Sequence, residues 1–349
     1  MKTRAILSTL PLPHGGPFPT QSPFLFCVYH KDTYPAGNTN MEAPRMGNGQ
    51  DFDPDAPYRM YHGETIPGFP QHPHRGFETI TATIDGLVDH ADSVGNAGRY
   101  GEGDVQWMTA GGGVVHSEMF PLLRTEQVNP LRFFQIWLNL PKRSKMVKPG
   151  FAMFWAGDVP NWSDTENKAK VTIWSGVDYF GVQSNNAPPP DSWASDVNND
   201  VAIMHITLEP GGKVTVPGAH KGEEISRSLF YIEGETGHMQ VEGEAIDDRV
   251  LLQVRADEEI QLALSDAAQT NGEFLLLQGR PIDEPVQQYG PFVMNEEWEI
   301  QQAFRDYQRT QFGGWPWPRD DMVFPRDKGR FAKLNGVETV PEEACKAKE

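Results

Sequence analysis

Cysteine is nearly missing from this chain: Cys27 and Cys345 are the only two in 349 residues, far apart and in no CxxC arrangement. That excludes a disulfide-stabilised miniature and implies a reducing compartment. Long apolar runs are missing too. Lys2 and Arg4 flank Ala5, Ile6 and Leu7, but Pro11 and Pro13 break the run before it reaches the core of a signal peptide, and no stretch is long enough to span a bilayer. Cytoplasmic residence is the resulting expectation. Basic residues are scarce: 30 Lys and Arg against 48 Asp and Glu give a net charge of -18. Such a surface repels nucleic acid and anionic membranes, and no basic patch relieves it.

What is present is turn chemistry. With 34 Gly, 29 Pro and a hydrophobic fraction of 38%, the composition fits a soluble, turn-rich β protein rather than a helical bundle or a disordered chain. The length allows two domains, each with its own core. Strand-like runs occupy residues 24–29, 79–84, 104–109, 131–140 and 171–174. A second set at 202–208, 214–216, 229–232, 250–254 and 274–277, with Gly turns between, predicts a second barrel. Residues 34–70 read as a long loop over whatever site follows, and the basic run 142–148 reads as solvated surface. Residues 184–200, with Pro188, Pro189 and Pro190, read as an extended insertion. A helix is predicted after Asn295 as N-cap, with Ile300, Phe304 and Tyr307 on one face and Gly313 and Gly314 ending it; an irregular tail follows and frays from Ala344. The expected division is 1–163, 164–294 and 295–349.

The most informative stretch runs from His72 to Glu118. One His-x-His pair among 10 histidines is ordinary, but His72 and His74 are matched by His116 and Glu118 after a Gly-rich turn. Residues two apart project from the same face of a strand, so two such strands facing each other would gather four ligands around one point. If the strand continues without a bulge, His72, His74, Ile80, Ala82 and Ile84 share that face, and Glu78 with them. Three imidazoles and a carboxylate without thiolates suit Fe, Mn, Ni, Cu or catalytic Zn. In the second half, His220, Glu223 and Glu224 form no comparable pair and read as solvated loop residues.

The runs HPHRGFETI, GDVQWMTAGGGVVHSEM, NPLRFFQIWLNLP and EPVQQYGPFVMN, in this order, resemble the pirin family of bicupins over most of the chain. The general cupin pattern is matched less specifically: His72, His74 and Glu78 fit its first motif, Gly113 and His116 its second. The resemblance implies an all-β fold of two cupin-type antiparallel barrels, the N-terminal one holding one non-haem Fe(II) through His72, His74, His116 and Glu118. Most cupins use the first-motif Glu as ligand, whereas pirins use the Glu of His-x-Glu, so Glu78 competes with Glu118 and Glu118 is expected. The resemblance further implies a dioxygenase of quercetinase type, taking a small aromatic substrate and O2, with Glu118 also serving as general base and Glu78 orienting a His or a water. Two rival readings are a non-catalytic iron-binding, redox-sensing regulator that binds transcription factors or metabolic enzymes, and a cupin enzyme for another substrate.

Overall fold

The computed structural model describes residues 4–46, 55–247 and 249–342. The chain is almost entirely β, with one α-helix, Glu297–Thr310, among the described residues. Two compact units emerge, and neither is contiguous in sequence: Met1–Phe26 joins Asp158–Asp283, while Cys27–Gly157 joins Glu284–Glu349. The expected boundaries are therefore redrawn. Hydrogen bonding supplies the reason, since Ile6–Pro11 pairs with Val250–Val254 and Phe331–Leu334 pairs with Ala97–Gly101.

The first of these units holds a seven-stranded antiparallel sheet and a four-stranded one, Lys213–Val216, Ile260–Leu264, Met239–Val241 and Glu244–Ile246. Alternate residues such as Met204, Ile206, Leu229, Leu252, Phe274 and Leu276 fill its core. This is the second barrel that the strand runs predict. His220 packs against Tyr179, with ring centroids 4.5 Å apart and planes tilted by 37°, and its Nε2 meets the Val177 carbonyl, while Glu223 and Glu224 pair with Arg255 and Arg280. The insertion is not unpacked: it folds into short 3-10 turns at Trp193–Ser195 and Val197–Asn199, tied by Trp193 Nε1 donating to the Arg280 carbonyl.

In the other unit a five-stranded sheet, in the order Gly150–Phe154, Val105–Thr109, Phe77–Asp85, Asn129–Asn139, Phe24–Tyr34, is joined by a six-stranded one. The latter runs Val337–Thr339, Phe331–Leu334, Ala97–Gly101, Leu87–Asp92, Val114–Met119, Gly68–His74. So the predicted irregular tail contains two strands, which cover an edge that would otherwise expose unpaired backbone groups. Arg99 reinforces the same seam. Its buried guanidinium makes a bidentate pair with Asp89 at 2.7 and 2.8 Å and donates to the carbonyls of Phe324, Pro325 and Lys328. The helix is capped by Glu296, not Asn295, in a reciprocal capping box with Glu299, and Gln311 in the left-handed region ends it before Gly313. Ile300, Phe304 and Tyr307 pack as expected, against Phe292 and Met294. Within the basic run 142–148, Lys145 is buried rather than solvated, donating to the carbonyls of Gly76 and Val293 and to Asn139. Burial lowers its pKa to about 8.

One turn decides which side chains face inward. Gly68–His74 and Phe77–Asp85 are separate strands, and Gly76 between them has φ +87. The alternation restarts there. Thr79, Thr81 and Thr83 therefore look toward the histidines, and Ile80 and Ala82 look away, the reverse of the uninterrupted pattern. A Cβ at Gly76 would lie 1.9 Å from the Val293 carbonyl oxygen. Gly76→Ala is expected to cost about 1–3 kcal/mol or more from the unfavourable φ and the clash together, read as a lowered urea midpoint. An unchanged midpoint would mean that the turn is not held as described.

Candidate metal centre

Strands Gly68–His74 and Val114–Met119 are antiparallel partners, with His72 opposite His116 in register. Their alternation puts His72, His74 and His116 together, and their ligand atoms all lie within 4.8 Å of one another. His74 and His116 are buried; His72 is partly exposed. Solvent thus reaches the cluster at His72, where Phe69 and Pro70 are also partly exposed and His62, 5.7 Å from the Phe69 ring, is open.

The ring nitrogens say what the cluster lacks. His72 Nδ1 is 2.8 Å from the Pro70 carbonyl and donates to it in the neutral tautomer that leaves Nε2 with a free lone pair. His74 has the Pro291 carbonyl as a partner and keeps Nδ1 buried without one, and neither nitrogen of His116 has a hydrogen bond. Buried imidazole nitrogens in native proteins are almost always paired, so converging orphans fit a divalent ion well. Burial also keeps the rings neutral. His72 is lowered to about 4, and His74 and His116 fall well below the ordinary range, with neighbouring histidines adding to the effect of burial.

Glu118 is at the edge of the cluster, its Oε2 3.9 Å from His116 Nε2. Burial raises its pKa, against hydrogen bonds from Thr81, Tyr100 and Gln135 that favour the charged form. Glu78 takes no part. It is on the opposite face of its strand from Thr81, fully buried, and accepts a hydrogen bond of 2.7 Å from Thr109. Of the two candidate carboxylates, only Glu118 is near the imidazoles. A residue pair missed in the sequence completes the surroundings: His90 lies opposite Glu118 and Asp92 opposite His116 on the adjoining strand Leu87–Asp92. His90 is fully buried, its ring 5.5 Å from His116 and its Nε2 3.5 Å from Asp92 Oδ2. The signal was available, because His90 and Asp92 repeat the spacing of His116 and Glu118.

A pH dependence follows for the metal-free protein. His30, stacked on Phe133 and bonded to Tyr61, is lowered by burial to about 3, and His72 to about 4. Unfolded imidazoles take up protons near 6.5, so between there and about 4 the unfolded chain binds more protons than the folded one. Stability should fall as pH drops through that window, by about 1.4 kcal/mol per pH unit for each such histidine. Carboxyls raised by burial, Glu118 and Asp89, oppose the trend. Urea unfolding at pH 7, 6 and 5 checks it; a midpoint that does not move would show that these rings are not buried neutral.

Comparison with known proteins gives consistent matches. The family description "Pirin" matches residues 22–138, and "Pirin C-terminal cupin domain" matches 203–313. A Pseudomonas aeruginosa protein named "Putative quercetin 2,3-dioxygenase" is 38% identical over 248 residues, covering 69% of this chain and 79% of that one. Pirin-1 of Arabidopsis thaliana is 36% identical over 249 residues, covering 70% and 78%. A crystal structure of quercetin 2,3-dioxygenase from Acinetobacter baumannii superposes with a TM-score of 0.67 at 26% identity, covering 89% of this chain and 96% of that one.

Proposed function

This chain belongs to the pirin family of bicupins, and from that premise we propose that it is a metal-dependent dioxygenase of quercetinase type. Its substrates are a flavonol-like aromatic and O2. The observation that carries the reading is the set of three neutral imidazoles brought together, two of them, His74 and His116, with unpaired buried nitrogens and the third, His72, partly exposed to solvent. In this reading His72, His74, His116 and Glu118 hold one ion, non-haem Fe(II) first, with Mn, Ni, Cu or Zn as alternatives. When bound, the ion supplies Lewis acidity and a template for the substrate oxygens.

The chain's own groups do the rest. Glu118 takes the proton of the flavonol 3-hydroxyl on the oxygen that the ion leaves free, a carboxylate having two oxygens of which Oε2 faces the imidazoles. Phe69 and His62 offer ring faces to a flat substrate at the mouth. Buried His74, His116 and Thr81 keep water from the interior. The carbonyls of Pro70 and Pro291 fix the rings of His72 and His74. No helix among the described residues is long and apolar enough to cross a membrane.

The test is anaerobic addition of quercetin to the iron-loaded protein, followed through its absorption band, and then oxygen. The reading requires a spectral shift on binding and, on oxygenation, one carbon monoxide released per flavonol, the gas carrying C3 with its own oxygen and the ring-opened ester carrying the remaining carbons and both atoms of O2. A shift without carbon monoxide would favour another substrate. No shift would favour the non-catalytic regulator.

A further inference from the structure

The two oxygens of Glu118 have unlike surroundings. Thr81, on the facing sheet, places its hydroxyl 2.9 Å from Oε1, and the Tyr100 hydroxyl lies 3.5 Å from the same atom. Oε2 faces His116 at 3.9 Å, with Gln135 Nε2 at 3.3 Å. One oxygen is anchored to the far wall while the other is turned to the imidazoles. A carboxylate meets a metal through one oxygen or two, and the second contact uses up a position that another ligand could take. We propose that Thr81 is a positioning residue that occupies Glu118 Oε1, so that Glu118 offers the ion Oε2 alone and one position stays open to a small exogenous anion or substrate oxygen.

This rests on Glu118 being the fourth ligand. The anchor is adjustable rather than fixed: the Thr81 hydroxyl carries one proton, and Gln135 Oε1, 2.7 Å away, competes with Glu118 for it. Thr81 is buried with no role in the hydrophobic core clusters, on a strand face where its neighbours Thr79 and Thr83 are also hydroxyl residues. Valine in its place keeps the shape and removes the proton. Without that hydroxyl, Oε1 keeps only the longer contact to Tyr100, at 3.5 Å, and is freer to turn to the ion.

The experiment uses the full chain loaded with Co(II), azide as the exogenous anion, and visible absorption as the readout, so no turnover is needed. Thr81→Val should keep a full complement of cobalt, show weaker visible bands because higher-coordinate cobalt absorbs less, and bind azide roughly tenfold more weakly. Thr81→Ser should restore both properties. Thr81→Ala, should valine not fold, is expected to match the valine result. Wild-type bands and azide affinity in the hydroxyl-free variant would overturn the proposal. Glu118→Gln is measured alongside: if its cobalt bands also match the wild type, it is the four-ligand reading that fails, whereas altered bands there with normal ones in Thr81→Val sink the Thr81 proposal alone.

Discussion

With alanine in place of His116, the protein is expected to fold and to retain no divalent ion after gel filtration. His116 is fully buried at the centre of the cluster, its ring 4.4 Å from that of His72 and 4.9 Å from that of His74. Removing it takes away one of the four proposed ligands, so the loss should exceed the roughly 10- to 100-fold that accompanies removal of an outer partner. Folding should survive, because an imidazole with two unpaired buried nitrogens contributes little net stability to the metal-free state. Metal analysis beside a circular dichroism spectrum decides it. His220→Ala is the control; its ring is in the other unit, bonded to a backbone carbonyl, and the metal should stay. Full metal content in the His116 variant would remove the site from consideration.

Glu118→Gln should weaken metal binding and lower turnover by about 100- to 10,000-fold, the range that a general base supplies. Gln keeps the shape and one acceptor oxygen for Thr81 while losing charge and basicity. Glu78→Gln is expected to leave both metal and turnover nearly intact, since its carboxyl is directed at Thr109 on the other face of the strand. The general cupin pattern makes the opposite prediction. If Glu78→Gln alone releases the metal, that pattern describes this protein and the geometry around Glu118 does not.

The spacing of His72, His74 and His116 was enough to place three imidazoles together in one cluster because period-2 projection is a local property of strands. Which threonines face it was not legible: a single left-handed residue at Gly76 restarts the alternation, and nothing in the pattern of Thr79 to Ile84 shows the break. Burial of Lys145 was hidden for a similar reason, because two of its three acceptors are backbone carbonyls far away in sequence. The run EPVQQYGPFVMN carried the family likeness, yet its position late in the chain pointed to the second barrel. Its carbonyls instead serve His74 and Lys145. Pairing across long sequence separations decides such placements, and local propensity is silent about them.

The interleaved order of the two units also has a bearing on biosynthesis. A ribosome delivers all four candidate metal ligands well before the carbonyl of Pro291 that fixes His74 and the Asp306 that pairs with Arg75. Until Phe331–Leu334 appears, the nascent chain carries Ala97–Gly101 as a bare edge, and Arg99 lacks the carbonyls of residues 324, 325 and 328. An uncovered edge in an unfinished chain is where wrong partners add strands, so this half depends most on shielding by a chaperone. The candidate ligands are thus synthesised first, while the strand and carbonyls that complete their half of the molecule come only with residues 324–334.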